Sequence, residues 1–593
     1  MDKRALAQKI KALDGLSNDE KSALLELLHE RKKYGIVWED KPEDVETQLK
    51  DELPVLTEVK ERAILSEDAD APNHILIEGD NLHALTALSY THAGRIDVIY
   101  IDPPYNTGKK NDFKYNDDWV DKEDSYRHSK WLSFMRKRLE ITKELLSEKG
   151  VIFISIDDNE QAQLKLLCNE VFGEKNYIAT ICRQAIKGGS RSDNIRTVHD
   201  YVHIFAKSIE IMQKFTGYEK DELDLELTDN KGAYTKGREL NKWGAGSRRE
   251  DSPTMWFAIP GPNGEDVYPI RNDGSDGRWR WGKKKMLKAV SEDEVIFEKR
   301  ENGTYIVYEK VRGLKNKNKQ FTTWFADNYV NSRGSEALKR IYGTLMSVFD
   351  FAKPVELIYD ICFMSNCPNG IILDFFAGSG TTLQATMQLN ADDGGHRQCI
   401  LITNNENNIC EEITYDRNRR VIQGYTIPKG EAVEGLHSNN LRYYKTTFVP
   451  RVKTMANKRA LTVAATDLLC IKNNVYQEIG EFGGVKLHPK VARYFDDGKT
   501  RMLVIYIEAA ISKFVDLLLD MEVEGKILVY VFSNDNYAYD DDFEEVMDKV
   551  ELCALPDAIY KAYKNVLPQN KTAEDVEGQN ESEAANSSEE DAQ

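Results

Sequence analysis

The stretch Ile99-Tyr-Ile-Asp-Pro-Pro-Tyr-Asn-Thr-Gly108 runs from an apolar segment directly into two consecutive prolines. The apolar residues are typical of a buried strand, and Pro103 and Pro104 end it because proline has no backbone N–H to give to a sheet. Asp102 and Tyr105 flank the two prolines. The sequence therefore predicts a carboxylate and a phenol that are held stiffly at the end of a strand.

Further strands and helices are predicted to alternate on both sides of this stretch. The predicted strands lie at 74–79, 97–101, 151–156, 177–184 and 200–207, and the predicted helices lie at 126–148 and 159–172. This alternation is typical of a parallel sheet covered by helices. It stops near residue 209, gives way to sequence rich in Gly, Asn, Lys and Trp, and resumes at 355–425, which indicates an insertion.

A glycine-rich turn follows a strand in the resumed part of the pattern. Leu373-Asp-Phe-Phe-Ala-Gly-Ser-Gly-Thr-Thr382 places Gly378 and Gly380 at a strand end, and Thr381 and Thr382 are predicted to cap the next helix. Glycines let a backbone approach a ligand closely, and open parallel sheets bind ligands past the carboxyl ends of their strands. Taken alone, the two glycines are also compatible with a simple tight turn. No lysine follows the second glycine, so a phosphate-binding loop is not favoured.

The charge of the chain is unevenly distributed. The formal net charge is −19, but from Lys571 onward eight acidic residues stand against one lysine, which predicts a disordered acidic tail. Residues 230–320 carry twenty Lys and Arg against thirteen Asp and Glu. A local basic excess of this kind is compatible with a nucleic-acid surface or with a solvated face.

The composition is that of a soluble globular protein. No apolar run approaches the ~20 residues that a membrane helix needs, and the N-terminus shows no signal peptide, so we expect a cytoplasmic protein. The chain has eight cysteines without a CxxC pair, which indicates reduced thiols and neither a zinc knuckle nor a disulfide scaffold.

Six sequence blocks in a fixed order resemble the amino-methyltransferases of DNA, and more narrowly the modification subunit of type III restriction-modification systems. The blocks are GDNLHAL (79–85), YIDPPYNTG (100–108), GVIFISIDDNEQAQLKLLCNEVFGEKNY (150–177), HDYVHIFAKS (199–208), KPVELI (353–358) and DFFAGSGTT (374–382). The DPPY block comes first, the basic insertion next and the glycine block last, which is the circularly permuted order called the beta group.

The resemblance implies an α/β fold, namely a Rossmann-like S-adenosylmethionine-dependent methyltransferase with circularly permuted motif order. An inserted target-recognition domain and a C-terminal α+β domain belong to the implied architecture. The implied divisions are an N-terminal helical arm (1–70), a first part of the methyltransferase core with DPPY (71–208), the target-recognition domain (209–345), a second core part with FAGSG (346–430), a C-terminal assembly domain (431–568) and the acidic tail (569–593).

The resemblance also implies a chemistry for the DPPY block. The exocyclic amine of adenine is a poor nucleophile because its lone pair is delocalised into the ring. Asp102 and the backbone carbonyl of Pro103 are expected to accept the two amine hydrogens, and Pro103 and Pro104 keep both acceptors rigid. Tyr105 is expected to stack on the target base, which must be flipped out of the duplex, a contact of ~1–3 kcal/mol. No metal ion and no nucleophilic cysteine is required.

The implied methyl donor is S-adenosylmethionine. The residues implied at its methionine part are Asp374, Phe376, Ala377, Gly378 and Gly380, and Thr381 is also implied to bind the donor. Asp80 is expected to contact the adenine of the donor, and Lys353 with Pro354 is expected to cover the methionine end. Glu406 is the candidate for the ribose hydroxyls, with its register left open because two asparagines precede it.

Several interpretations stay open. Asp102 favours adenine N6, but cytosine N4 is the alternative within the same class, where Ser is more frequent at this position. The chain is also compatible with a role mainly in DNA recognition within a restriction complex, or with an orphan enzyme. The resemblance implies double-stranded DNA as substrate, a homodimer, and a separate helicase-nuclease restriction subunit.

Two smaller predictions concern single residues. Asp158 or Asn159 is expected to cap the helix after its strand. Trp279 and Trp281 are expected to build a small core in the insertion, with stacking on bases as the alternative.

Overall fold

The computed structural model describes residues 43–109, 113–115, 118–188, 194–217, 225–312, 320–534, 537–564 and 566–567. The greater part of the expected N-terminal arm, residues 1–42, and the expected acidic tail lie outside these residues. The chain divides into a smaller compact unit, Phe215–Thr322, and a larger unit formed by the residues before and after it. Residues 323–345, which the sequence placed with the insertion, belong to the larger unit.

The larger unit is built on a ten-stranded mixed sheet. Its strands in chain order are β1 (Glu52–Glu58), β2 (Asn73–Glu78), β3 (Ile96–Ile101), β4 (Leu146–Ile156), β5 (Tyr177–Gln184), β6 (His199–Ala206), β7 (Trp324–Phe325), β8 (Ile371–Asp374), β9 (Gln398–Thr403) and β10 (Asn440–Pro450). Across the sheet they follow the order β1-β10-β2-β9-β8-β3-β4-β6-β5-β7.

The central strands run parallel, as the alternating pattern predicted. Every neighbouring pair from β10 across to β4 is parallel. The prediction of a parallel sheet is wrong at β6, which runs antiparallel to both β4 and β5. Parallel neighbours need a long crossover, whereas an antiparallel pair needs only a short connection, and no helix lies between β5 and β6 in the part that the structure describes.

The larger unit also contains α-helices, most of which cover this sheet. In chain order they are α1 (Asp44–Asp51), α2 (Asn81–His92), α3 (Arg127–Leu145), α4 (Gln161–Cys168), α5 (Asn331–Ile341), α6 (Val355–Met364), α7 (Thr381–Asp393), α8 (Asp416–Gln423), α9 (Met455–Ala464), α10 (Thr466–Asn473), α11 (Ile511–Asp520) and α12 (Asp557–Tyr563). The predicted helix at 126–148 is α3, which ends earlier because β4 begins at Leu146. The predicted helix at 159–172 is α4 followed by a π-helical turn, Asn169–Gly173.

The central strands are continuous apolar runs in the sequence because both of their faces are buried in the core. A parallel strand covered on both faces buries every side chain, and Ile99, Ile101, Ile152 and Ile154 are all fully buried. The strands of a second, C-terminal sheet are β11 (Glu478–Ile479), β12 (Ala492–Asp496), β13 (Arg501–Ile505), β14 (Ile527–Phe532) and β15 (Val550–Leu555). Some of its buried side chains, such as Val504, belong to the same cluster as the main core.

The smaller unit has its own core. An antiparallel sheet of Val295–Lys299, Tyr305–Val311, Gly232–Glu239 and Leu227–Asp229 is accompanied by the helix Lys283–Ser291. Trp279 is fully buried at the centre and its indole N–H donates to the carbonyl of Phe257 at 2.8 Å. Trp281 packs against the same cluster. The prediction that both tryptophans build a core is confirmed.

Two further observations concern the whole described chain. None of its helices has the length and apolar character that a membrane crossing requires. All eight cysteines are free thiols.

Candidate active site

The DPPY block and the glycine turn lie next to each other although they are far apart in the chain. Strand β3 leads into Asp102, and β8 ends at Asp374. The two strands are parallel neighbours, with Leu373 paired to Ile99. Because their carboxyl ends meet at one edge of the sheet, the two blocks face a common region, as the sequence interpretation requires.

Asp102 has a partner that the sequence did not indicate. The Lys353 ammonium lies 2.7 Å from each carboxylate oxygen of Asp102 and 2.9 Å from the hydroxyl of Tyr105. It also lies 5.0 Å from the centre of the Tyr105 ring. Both carboxylate oxygens of Asp102 are thus engaged by one ammonium, and an amine that binds there must share the carboxylate with it or displace it.

The phenol of Tyr105 stays neutral in this setting. Burial raises the pKa of Tyr105 well above its usual range, and the nearby Asp102 carboxylate adds to the effect. A buried ion pair of Arg183 and Asp200 also acts on this ring electrostatically. Tyr105 is therefore suited to contact a flat ligand and unsuited to act as a base.

The DPPY loop is fastened by side chains as well as by its prolines. The indole N–H of Trp131 donates to the carbonyl of Pro104 at 2.7 Å. Asn106 takes the left-handed conformation, with φ of 56°. Its side-chain amide donates to Glu160 at 2.5 Å and to the carbonyl of Arg127 at 3.2 Å. Sequence reasoning missed these residues, because only the asparagine lies within the motif.

Glu160 is the centre of a buried polar cluster beneath this loop. Its Oε1 lies 2.6 Å from Nδ1 of His128, whose Nε2 accepts from Arg127 at 3.2 Å. Burial raises the pKa of Glu160 to about 8. Oε2 of Glu160, Oδ1 of Asn106 and Nη1 of Arg127 are buried and make no hydrogen bond to any residue that the structure describes. A protonated, uncharged Glu160 therefore holds the loop at neutral pH.

The Glu160→Gln substitution is expected to weaken the dependence of stability on pH. The raised pKa means that the folded chain keeps a proton that the unfolded chain releases. The stability from this proton is complete below the ordinary glutamate pKa of about 4.5 and is lost as the pH rises towards 8. Thermal unfolding between pH 5 and about pH 8 should show a smaller fall for the variant than for the unsubstituted chain.

Glu148→Gln is the matched control, since Glu148 is an exposed residue of β4. Equal falls in the unfolding temperature for all three proteins would contradict an uncharged Glu160.

Asp374 belongs to the framework of the glycine turn. Its buried carboxylate accepts from the hydroxyl of Thr382 at 2.5 Å and from the N–H of Phe376 at 3.0 Å. Burial raises the pKa of Asp374 to about 7. The Phe376 ring is half-buried, and Ala377 is buried with its N–H donated to Ile402 of β9. Asp374 therefore stabilises the conformation of the glycine turn.

The two glycines have backbone conformations that suit them. Gly378 and Gly380 have φ of 48° and 75°, in the left-handed region. Gly380 is the residue that precedes helix α7, and no side chain caps that helix. The prediction that Thr381 and Thr382 cap it is wrong, because both threonines lie inside the helix. Thr382 bonds to Asp374 instead.

A buried arginine supports the same turn from α8. Arg417 donates to the hydroxyl of Ser379 at 2.8 Å and to that of Thr381 at 2.7 Å. It also donates to Gln384 at 2.8 Å. The sequence gave no signal for this residue, since the bonds span more than 30 residues. Thr381 also donates to the backbone carbonyl of Lys353 at 3.4 Å, which joins the turn to the residue beside Asp102.

The other expected ligand residues lie along the same edge. Asp80 follows β2 and precedes α2, where it accepts from the N–H of Leu82 at 2.7 Å. Glu406 follows β9 and forms an ion pair with Lys114. The side chains of Asp80 and Glu406 are 35% and 45% exposed, so each keeps a face for a ligand. The strand order β2-β9-β8-β3 places Asp80, Glu406, the glycine turn and Asp102 in a row.

The expected cap after β4 is not formed. Helix α4 is preceded by Glu160, whose side chain makes no capping bond. Asp158 accepts from the hydroxyl of Tyr201 at 3.0 Å, and Asn159 donates to Asp157 at 2.9 Å. The prediction that Asp158 or Asn159 caps this helix is therefore wrong, because the helix starts later than the sequence indicated.

Comparison with known proteins places this site in a family context. A family model described as DNA methylase matches residues 96–415, which is more than half of the 593 residues. The match begins at β3, includes the smaller unit and ends beyond the glycine turn.

Two relatives illustrate the similarity. The EcoPI Mod subunit of a type III restriction-modification enzyme from Escherichia phage P1 is 33% identical over 395 residues, covering 59% of this chain and 60% of that subunit. The type II methyltransferase M.KpnI of Klebsiella pneumoniae is 34% identical over 375 residues, covering 61% of this chain and 87% of that enzyme. The chain thus spans less than two thirds of the phage subunit.

The PvuII DNA methyltransferase, which is cytosine-N4-specific, is 12% identical and covers 61% of this chain and 97% of its own. The TM-score of this comparison is 0.30.

Proposed function

The chain belongs to the DNA methylase family, and from this premise we propose that it transfers a methyl group from S-adenosylmethionine to the N6 amine of an adenine in double-stranded DNA. In this proposal it is the modification and recognition subunit of a type III restriction-modification system and acts in the cytoplasm. The observation that carries the proposal is the adjacency of β3 and β8, which brings Asp102 and the glycine turn to one edge of the sheet.

The acceptors for the target amine are Asp102 and the carbonyl of Pro103. The carbonyl of Pro104 already accepts from the indole N–H of Trp131 at 2.7 Å. The Pro103 carbonyl accepts no hydrogen bond among the residues that the structure describes. Two rigid acceptors hold both amine hydrogens, so the lone pair of the nitrogen is freed for attack.

Tyr105 holds the base. An adenine inside a duplex cannot reach Asp102, so the nucleotide must leave the stack at a cost of a few kcal/mol. Stacking on an aromatic ring contributes ~1–3 kcal/mol and offsets much of this cost. The Lys353 ammonium contacts both Asp102 and Tyr105, so the base shares Asp102 with it or replaces it when it enters.

S-adenosylmethionine fits the edge of the sheet beside Asp102 and Tyr105. Its sulfonium supplies an electrophilic methyl, and no metal ion is needed. The left-handed Gly378 allows close approach to its methionine part, where Phe376 offers a half-buried ring, and Gly380 shapes the same turn by packing against Asn418 and Thr414. Asp80 would contact its adenine and Glu406 its ribose hydroxyls, and both carboxylates are partly exposed.

The test is methylation of genomic DNA from a host that lacks modification, with methyl-labelled S-adenosylmethionine and the full chain. After digestion to nucleosides, we expect the label in N6-methyladenine. Label in N4-methylcytosine would show that the target base is cytosine and not adenine. No label in DNA, from a folded protein that binds S-adenosylhomocysteine, would contradict methyl transfer to DNA.

The assembly is part of the proposal. The phage relative is named as a Mod subunit of a restriction-modification enzyme, which supports a separate helicase-nuclease subunit as partner. We also expect a homodimer. Light scattering that shows a monomer at micromolar concentration would contradict the dimer, and failure of a co-expressed restriction subunit to co-purify would contradict the complex.

A further inference from the structure

The smaller unit contains a cleft of about 190 Å³ on its surface. Three segments form it: the end of the strand Gly232–Glu239 with the turn up to Trp243, the turn at 270–273, and Arg300. The cleft lies within the basic part of the sequence, where lysine and arginine outnumber acidic residues. A flat ligand with negative charge nearby suits such surroundings.

The walls of the cleft are held in place by hydrogen bonds within the unit. Buried Asn241 donates to the carbonyl of Tyr305 at 3.2 Å and accepts from the N–H of Val307 at 2.8 Å. Arg300 donates to the carbonyl of Ile270 at 2.8 Å and to Oδ1 of Asn272 at 2.9 Å. The two walls are thus fixed before any ligand arrives, which lowers the entropy cost of binding.

One acceptor in this cleft is unused. The half-buried carboxylate of Glu239 makes no hydrogen bond and no ion pair with any residue in the described part of the chain. Burial raises the pKa of Glu239, although Arg300 acts in the opposite direction. The carboxylate still reaches water, so an N–H group of a ligand would take the place of that water as its donor.

A donor and a flat surface accompany this acceptor. Because Arg300 occupies Oδ1 of Asn272, the side chain of Asn272 offers its N–H₂ group to a ligand. The indole of Trp243 is 64% exposed and the Arg280 guanidinium lies 5.9 Å from its ring centre. Exposed aromatic rings flanked by arginine suit the bases and sugars of nucleic acid.

We propose that this cleft reads one base of the DNA recognition sequence, an adenine or cytosine, through its exocyclic amine. Glu239 accepts the amine hydrogen, Asn272 donates to the neighbouring acceptor of the base pair, and Trp243 packs against the adjoining nucleotide. Guanine and thymine present a carbonyl oxygen at this position of the major groove, which a carboxylate repels. This inference rests on the proposed DNA methyltransferase function.

The test compares methylated motifs. The full chain and its variants Glu239→Gln, Glu239→Ala and Trp243→Ala are expressed in a host without DNA modification, and the methylated positions of the host DNA are sequenced. Both Glu239 variants are expected to methylate the same target base but to accept further bases at one fixed position of the motif. Discrimination at that position should fall roughly 10- to 100-fold. Trp243→Ala should lower the extent of methylation at every site.

The matched control is Glu250→Gln, an exposed glutamate of the same unit outside the cleft. It should leave the motif unchanged. An unchanged motif in both Glu239 variants would overturn the inference. A general loss of methylation in both Glu239 variants would also overturn the inference, because loss of a single base contact should change the preference at one position of the motif only. Unfolding of the near-isosteric Glu239→Gln would show a structural role instead. If the unsubstituted chain itself methylates no DNA, the proposed function fails, and the two failures are thereby distinguished.

Discussion

The Asp102→Asn variant is expected to lose methyl transfer by a factor of about 10²–10⁴. The amide keeps the shape of the carboxylate but loses its charge and replaces one acceptor oxygen by an N–H₂ donor, so the target nitrogen keeps more of its delocalised lone pair. Single-turnover incorporation of labelled methyl measures the loss. The affinity for DNA should stay near that of the unsubstituted chain, whereas the unfolding temperature should fall, because the largely buried Lys353 ammonium loses its carboxylate partner. A loss of DNA affinity equal to the loss of activity would place Asp102 in binding instead.

The same variant provides a second readout, on the donor. In the structure Lys353 is bound to Asp102, whereas the family resemblance implies a place for it at the methionine end of the donor. If Asp102 and the donor compete for Lys353, the Asp102→Asn variant leaves this lysine free to bind the donor. An ion pair of about 1 kcal/mol corresponds to about fivefold tighter binding of S-adenosylhomocysteine by calorimetry. Lys353→Met in the same background should cancel the gain, and unchanged affinity in the single variant would contradict the competition.

The sequence predicted the parts of the fold that depend on local pattern. The strands β3 and β8 are apolar runs that end in motifs rich in proline or glycine, and buried parallel strands have this appearance whatever their neighbours. Their adjacency was implied by the family resemblance. The direction of β6 was not predictable in the same way, because strand pairing depends on the connection and not on the strand alone.

The candidate site was predicted in outline and not in its contacts. Asp102, Tyr105 and the two glycines lie inside local motifs, so their types and spacing carried the signal. The partner of Asp102 is Lys353, which lies 251 residues away in the chain, and the turn is supported by Arg417. Contacts at such separations are set by tertiary packing, which one sequence does not encode in any local period.

The start of helix α7 shows that tertiary contacts also override local sequence signals at short range. Thr381 and Thr382 are good capping residues, yet Gly380 occupies the capping position. Buried Asp374 draws the hydroxyl of Thr382, and buried Arg417 draws that of Thr381. Helix-capping propensity did not decide the outcome, because the buried carboxyl of Asp374 and the buried guanidinium of Arg417 gain more from these hydroxyls than a helix end does.

The Gly380→Ala variant is expected to lower the affinity for S-adenosylhomocysteine more than tenfold and to lower the unfolding temperature. A Cβ at this position would lie 2.4 Å from Nδ2 of Asn418 and 3.0 Å from Cγ2 of Thr414. Asn418 cannot move aside easily, because it is buried and its amide donates to the carbonyl of Thr414 at 2.8 Å. The glycine turn must therefore shift as a whole.

Gly394→Ala separates this clash from the cost of backbone conformation. Gly394 ends the same helix, α7, with φ of 69° against 75° for Gly380, and a Cβ there would meet no atom within 4 Å. Both alanines incur the left-handed penalty of about 1–2 kcal/mol, but only Gly380→Ala displaces the turn. Calorimetry should therefore show a loss of ligand affinity for Gly380→Ala alone, while both variants unfold at lower temperature. Equal affinities in the two variants would mean that the turn beside β8 does not hold the donor.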